Sequence, residues 1–183
     1  MSGTLSCGGL YSTMSSIAAS MNMHCMTART YGRKEDELAA TLDAVALNTM
    51  LEAGREERRL AVDAGDLCRD GVPFISDVVD GMWSKRSYKN KYDAKSGTAT
   101  IIGYRTNKIL WTATREKACV VCDYAAKKKK AAARKHTCAK NWTRGSTAKE
   151  ADIILEGFKS SMEMHKLRFT KMIGIYFFEF FKK

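Results

Sequence analysis

Proline is all but absent: Pro73 is the only one in 183 residues. Nothing before it forces a helix to break, so long helices are permitted there. No apolar run approaches the roughly 20 residues needed to cross a bilayer, which argues against a spanning helix and a membrane partner. The N-terminus is small and polar and lacks a basic start followed by an apolar stretch, so no secretory signal is expected. Acidic residues are the minority charge, 20 against 31 Lys and Arg, for a formal net charge of +11. That imbalance favours a polyanionic partner, of which nucleic acid is the commonest. A merely soluble basic protein carries the same charge, so composition leaves both readings open. Cysteine is not scarce. The six present are expected in a reducing compartment, where clustered thiols serve as metal ligands more often than as disulfides. Cys7, Cys25 and Cys68 are scattered singly and read as buried free thiols.

The stretch 1–70 reads as an N-terminal helical region. Leu10, Met14, Ile17 and Met21 suggest a short helix. From Lys34 to about Asp63, Leu38, Leu42, Val45, Thr49, Ala53 and Leu60 share one helical face. Glu35, Asp36 and Glu37 crowd its start, which suits the positive end of a helix dipole. Gly54 costs about 1 kcal/mol relative to Ala and is expected to break or kink it. A helical pair of this kind either reads DNA or only packs. Gly65 to Pro73 is the clearest boundary, and short β-rich runs follow it. Phe74–Trp83, Thr98–Tyr104 and Lys108 to about Thr114 read as strands, the last two joined by a hairpin turn at Thr106-Asn107. Thr147 with Glu150 is a capping-box signature, and Ala151, Leu155, Phe158 and Met162 carry a helix to about His165. Arg168–Ile173 reads as a further strand. Strand, hairpin, helix, strand places this part among mixed α/β folds.

Asp80 sits late in the first strand, before Gly81. A carboxylate at the end of an apolar strand costs desolvation unless it is paired, hydrogen-bonded or bound to a cation, and magnesium fits such a place. A turn aspartate is the competing reading, since Asp-Gly is a frequent turn pair. Asp77 is a rival on the same strand that would point to the opposite face. Cys119-Val-Val-Cys122, followed by His136-Thr-Cys138 after a Lys-rich insert, can make a closed tetrahedral zinc site of three thiolates and an imidazole. A cysteine-rich loop without metal is the alternative. Lys127–Lys130 reads as a solvated run or as a nuclear-import signal. Trp83, Lys85, Arg86, Tyr88, Lys89, Lys91 and Tyr92 alternate cations with rings, a mix that can pair phosphates and stack bases. It also suits an exposed strand end. His165, at the end of a helix, reads as structural.

The segment Asp80-Gly-Met-Trp-Ser-Lys-Arg-Ser-Tyr88 resembles the start of the transposase domain of Mutator-like elements of animals, arthropods in particular. The likeness continues through Ser96-Gly97, Ile101-Ile-Gly-Tyr104, Cys119-Val-Val-Cys122, His136-Thr-Cys138 and Lys140-Asn-Trp142. It goes on in Glu150-Ala-Asp-Ile-Ile154, Glu156-Gly-Phe158 and Met164-His165, and the front part with Met50-Leu-Glu-Ala53 and Glu56-Glu57 is similar too. The resemblance implies an N-terminal helical segment followed by a ribonuclease-H-like mixed sheet, over 71–174, with an inserted Cys/His zinc-binding loop at 119–138. It implies DDE chemistry, in which two aspartates and a glutamate hold two Mg2+ ions for in-line attack on DNA phosphodiesters. Asp80 matches the first aspartate, whereas Asp77 has an apolar counterpart in the family. After Ile173-Gly174 the family has an acidic Asp-Gly-Asp stretch supplying the second ligand. Here Ile175-Tyr-Phe-Phe-Glu-Phe-Phe-Lys-Lys183 follows, and Glu179 does not match that stretch. The expectation is a truncated, catalytically inactive transposase piece in the nucleus, with DNA as partner. Lys85, Arg86, Lys89 and Lys91 are its candidate DNA contacts. The divergent aromatic tail, 175–183, is expected to expose an apolar patch and favour self-association.

Overall fold

In the computed structural model the described residues are 8–84, 94–128, 135–145 and 148–174. Lys85, Arg86, Lys89 and Lys91, the lysines 129–130, Thr147 of the expected capping box and the tail 175–183 lie outside them. The chain divides into two compact units, Met1–Asn48 and Thr49–Lys183. Among the described residues no helix is long and apolar enough to cross a membrane.

The first unit holds α1, Tyr11–Ser20, and the first half of α2, Ala28–Asp63. Tyr31 is buried, and its ring meets that of Tyr11 edge-on at 5.6 Å. Helix α2 starts at Ala28 rather than Lys34, because the Thr27 hydroxyl accepts the Thr30 N–H at 3.2 Å and caps it. Glu35, Asp36 and Glu37 therefore lie beyond the first turn, where Glu37 pairs with Lys34 at 2.6 Å. The apolar face expected of α2 is also different. Leu42 and Val45 are exposed, and the buried positions of its second half are Ala53, Gly54, Glu57 and Ala61. Small residues are selected where a helix lies close to a sheet, whereas the period of the larger apolar residues follows another side.

The second unit is built on a four-stranded mixed sheet, so the chain is α/β. Its strands are β1 (Phe74–Trp83), β2 (Ser96–Gly103), β3 (Ile109–Glu116) and β4 (Arg168–Gly174), in the spatial order β3-β2-β1-β4. β1–β2 and β2–β3 pair antiparallel, and β4 joins β1 in parallel. A parallel partner needs a crossover, which contains α3, Val120–Lys127, and α4, Ala148–His165. Ile75, Asp77 and Val79 of β1 are buried, as are Gly97, Ala99, Ile101 and Gly103 of β2. Of these, Ile75, Val79, Ala99 and Ile101 form the core with Ala53 and Ala61 of α2, Ile153 and Ile154 of α4, Leu110, Leu167 and Phe169. The alternate positions, Ser76, Val78 and Asp80 on β1 and Thr98 and Thr100 on β2, point to the other face. There Thr98 and Thr114 share a hydroxyl hydrogen bond at 2.9 Å.

Gly54 causes no break. A Cβ on it would lie 2.0 Å from His165 Nδ1, so the glycine lets α2 pass the buried imidazole at the end of α4. His165 Nε2 donates to the Leu110 carbonyl at 2.9 Å, and burial holds its pKa below the usual value. Glu57, also buried, accepts the Thr106 N–H and hydroxyl at 2.8 Å and so secures the β2–β3 turn. Asp77 is the misfit. It is fully buried, and neither carboxylate oxygen has a hydrogen-bond partner among the described residues. Burial raises its pKa from 3.8 to about 7.

Two stability measurements follow from this packing. Ala is the better helix former by about 1 kcal/mol, yet Gly54→Ala is expected to lower the urea midpoint, since overpacking costs about 1–3 kcal/mol. Gly32→Ala, where an added Cβ meets nothing within 4 Å, is expected to leave it unchanged or raise it. For Asp77 the folded pKa is raised, so its contribution is least unfavourable below the unfolded value of 3.8 and worsens up to about 7. Asp77→Val is accordingly expected to stabilise by about 1–3 kcal/mol at neutral pH. The gain over wild type should grow between those two pH values and level off above them.

Candidate functional site

The chain leaves β3 at Glu116 and enters the cysteine-rich crossover. Cys119 is extended and caps α3, and Cys122 lies in the first turn of that helix. Cap and third helical residue are one turn apart, so the C-x-x-C spacing brings both sulfurs to one side. The return arm carries His136 and Cys138 to the same point. Cys119 Sγ lies 3.2 Å from His136 Nε2, Cys122 Sγ lies 3.5 Å from the same nitrogen, and Cys122 Sγ lies 3.6 Å from Cys138 Sγ. All four ligand atoms fall within 4.8 Å of one another. Ligands of a tetrahedral ion with Zn–S near 2.3 Å and Zn–N near 2.0 Å are roughly 3.5–3.8 Å apart. The cluster therefore fits zinc in size, ligand type and number.

Its electrostatics point the same way. The Cys122 backbone N–H, followed by those of Ala139 and Val121 and the His136 ring, lowers the Cys119 thiol to about 6. Cys138, then burial and Cys119, push Cys122 up to about 11. Three sulfurs this close cannot all ionise without a cation among them.

The return arm is latched by residues whose part was not evident from composition. Asn141 Oδ1 accepts the Glu116 N–H at 2.6 Å, and its Nδ2 donates to the Thr114 carbonyl at 3.1 Å. The backbone N–H groups of Asn141 and Trp142 both donate to the Glu116 carbonyl. Trp142 is buried, and its indole donates to the Gly145 carbonyl at 3.0 Å. The Lys140-Asn-Trp142 motif thus closes the loop on the end of β3. The single cysteines do not join the cluster: Cys25 and Cys68 are half-buried rather than buried, and Cys7 lies outside the described residues.

Asp80 lies away from this cluster, near the end of β1 and opposite Thr100 of β2. It is exposed, whereas Asp77 is buried beneath the helices. The parallel pairing with β4 runs to Val79↔Gly174, one residue short of Asp80. Gly81 follows, and a Cβ there would lie 2.5 Å from Glu150 Cδ. Burial, then the charge of Asp80, raises the Glu150 pKa. Its neighbour Lys149 is fully buried, and its Nζ donates to the carbonyls of Ala94 and Lys95 at 2.9 and 2.6 Å. Burial, then the charge of Lys117, lowers its pKa. A lysine beside a helix start carries no sequence signal that it turns inward.

If the cluster holds zinc, purified protein should carry about one ion per chain by elemental analysis. Cys122→Ser and His136→Ala should each remove most of it. A wild-type content near zero would exclude the metal centre.

The family model for the Mutator-like transposase matches residues 1–174, which include every described strand, the Cys/His loop and Asp80. No curated protein and no solved structure matches the chain. A match of that extent establishes that the chain belongs to the Mutator-like transposase family.

Proposed function

We propose that the chain is a piece of a DDE-type DNA transposase that binds DNA in the nucleus and does not cut it unaided. The family match over 1–174 carries this reading. Asp80 is the residue matching the first metal-binding aspartate, and it is exposed at the end of a central strand. A two-ion mechanism needs further carboxylates to hold the ions that activate the attacking water or 3′-hydroxyl. Where the family has its acidic stretch, this chain has Ile175-Tyr-Phe-Phe178. What remains suits one hydrated Mg2+, which binds through one or two carboxylates and keeps its waters.

A second reading, a non-enzymatic zinc-dependent DNA-binding module, is favoured by the charge around the Cys/His loop. Lys117, Lys127, Lys128, Lys129, Lys130, Arg134, Lys135, Lys140 and Arg144 face only Asp123 as an acid between Lys117 and Gly145. Lys127, Lys128, Lys135, Lys140 and Arg144 are exposed. Closing the loop around zinc would hold these cations together for contact with phosphates.

Binding to duplex DNA is expected to weaken steeply as salt rises, because phosphate contacts release counterions. Supercoiled plasmid should stay uncut with Mg2+ or Mn2+. Nicking that disappears in Asp80→Ala would overturn the inactivity, and binding indifferent to salt would overturn the DNA reading. Loss of DNA affinity on zinc removal would favour the module over the fragment.

A further inference from the structure

Helix α3 has two unlike sides. Its cap Cys119 and Ala125 are buried, and Cys122 between them joins the Cys/His cluster. Residues spaced three apart lie on one side of a helix, so this is the side that holds α3 to the domain. On the other side Val120, Asp123, Tyr124, Lys127 and Lys128 are all exposed. Val120 is 84% and Tyr124 54% exposed, so an aliphatic and an aromatic side chain stand in water on a helix of 8 residues. Lys128 Nζ lies 4.9 Å from the centre of the Tyr124 ring. Val120, Tyr124 and Lys128 thus form a row one turn apart, apolar at its start and cationic at its end. Asp123 lies in the first turn, which suits the positive end of the helix, and Lys127 lies in the last. Around this row are nine cations and one acid between Lys117 and Gly145.

We propose that the exposed side of α3 docks in the major groove of duplex DNA, with Lys127 and Lys128 on phosphates and Val120 and Tyr124 against base edges. The surrounding charge selects a polyanion, and the apolar half of the row needs a surface that is not charged throughout. A helix with its side chains is about 10–12 Å across and the major groove about 12 Å wide, so α3 can enter it. Apolar side chains there meet thymine methyl groups. Single strands are held in grooves lined by successive rings, whereas α3 offers one ring on a convex ridge. Cys119 and Cys122 fix the start of the helix from the side opposite the docking face. The inference rests on the DNA-binding reading of the Cys/His loop and adds to it which side chains make the contact.

The test is fluorescence anisotropy of a labelled duplex titrated with the zinc-loaded full chain at several salt concentrations. Zinc content and circular dichroism confirm the fold of each variant. Tyr124→Ala should weaken binding about tenfold at every salt concentration, the scale of one interface anchor. Lys127→Ala combined with Lys128→Ala should flatten the log–log salt dependence by about 1.8, at roughly 0.9 per phosphate contact. Leu155→Ser and Lys159→Ala, at exposed positions of α4, should bind like wild type. Salt-dependent binding that neither α3 variant changes, or that the α4 variants weaken equally, would overturn this inference and leave the DNA reading standing. Tighter binding to a single strand of the same length would overturn the groove in the same way. No DNA binding by wild type would overturn both.

Discussion

The four strands hold one register because one of their faces is buried. A slip of one residue in β1 would carry Ile75 and Val79 out of the core and bring Ser76, Val78 and Asp80 beneath the helices. Asp77 would leave the core as Asp80 entered it, so the slip exchanges one buried carboxylate for another and its cost is the lost burial of Ile75 and Val79. The same alternation that fills the core therefore keeps Asp80 on the exposed side. β1 is central, with β2 antiparallel on one flank and β4 parallel on the other. Everything near Asp80 inherits its position from that arrangement.

The helices pack on the buried face by means of small residues and inward-turned polar ones. Gly54 clears the His165 ring, and Gly81 clears the Glu150 carboxylate. Lys149 then ties the start of α4 to the chain entering β2, while Arg115 of β3 holds Asp152 from the same helix at 2.8 Å. The orientation of α4, and with it the placement of Glu150 over Gly81, is thus fixed by contacts far apart in sequence. Polar groups buried in this way are costly unless partnered, and among the described residues six buried side-chain atoms, two of them on Asp77, have no hydrogen-bond partner.

The Cys/His loop is held differently. Its ends are fastened to β3 through Asn141 and Glu116, and among the described residues from Lys117 to Gly145 only Cys119, Ala125 and Trp142 are buried. A segment with so little apolar burial gains its order from whatever joins its sulfurs and imidazole. That couples the shape of the basic surface around it to metal, which is why the zinc and DNA readings stand or fall together in the module hypothesis.

Much of this could be read from local pattern. Alternation marked β1 from Phe74 to Trp83, where the strand lies, and placed β2, β3 and β4 within two residues or so of their ends. The C-x-x-C and H-x-C spacings named the four residues that meet, because ligand spacing is itself local geometry. The start of α2 was misplaced, since a threonine cap at Thr27 is a weaker signal than an acidic cluster. Its buried side was misread, because periodicity finds large apolar residues and the contact uses Ala53, Gly54, Glu57 and Ala61. By itself the sequence determined the order of the strands and of the long helices, the four residues of the Cys/His cluster and the family, but not the short helix α3. Only the tertiary structure decided that Gly54 continues a helix, that Lys149 turns inward, and that Glu150 lies over Gly81. Those outcomes depend on how closely separate elements approach, and no single segment contains that distance.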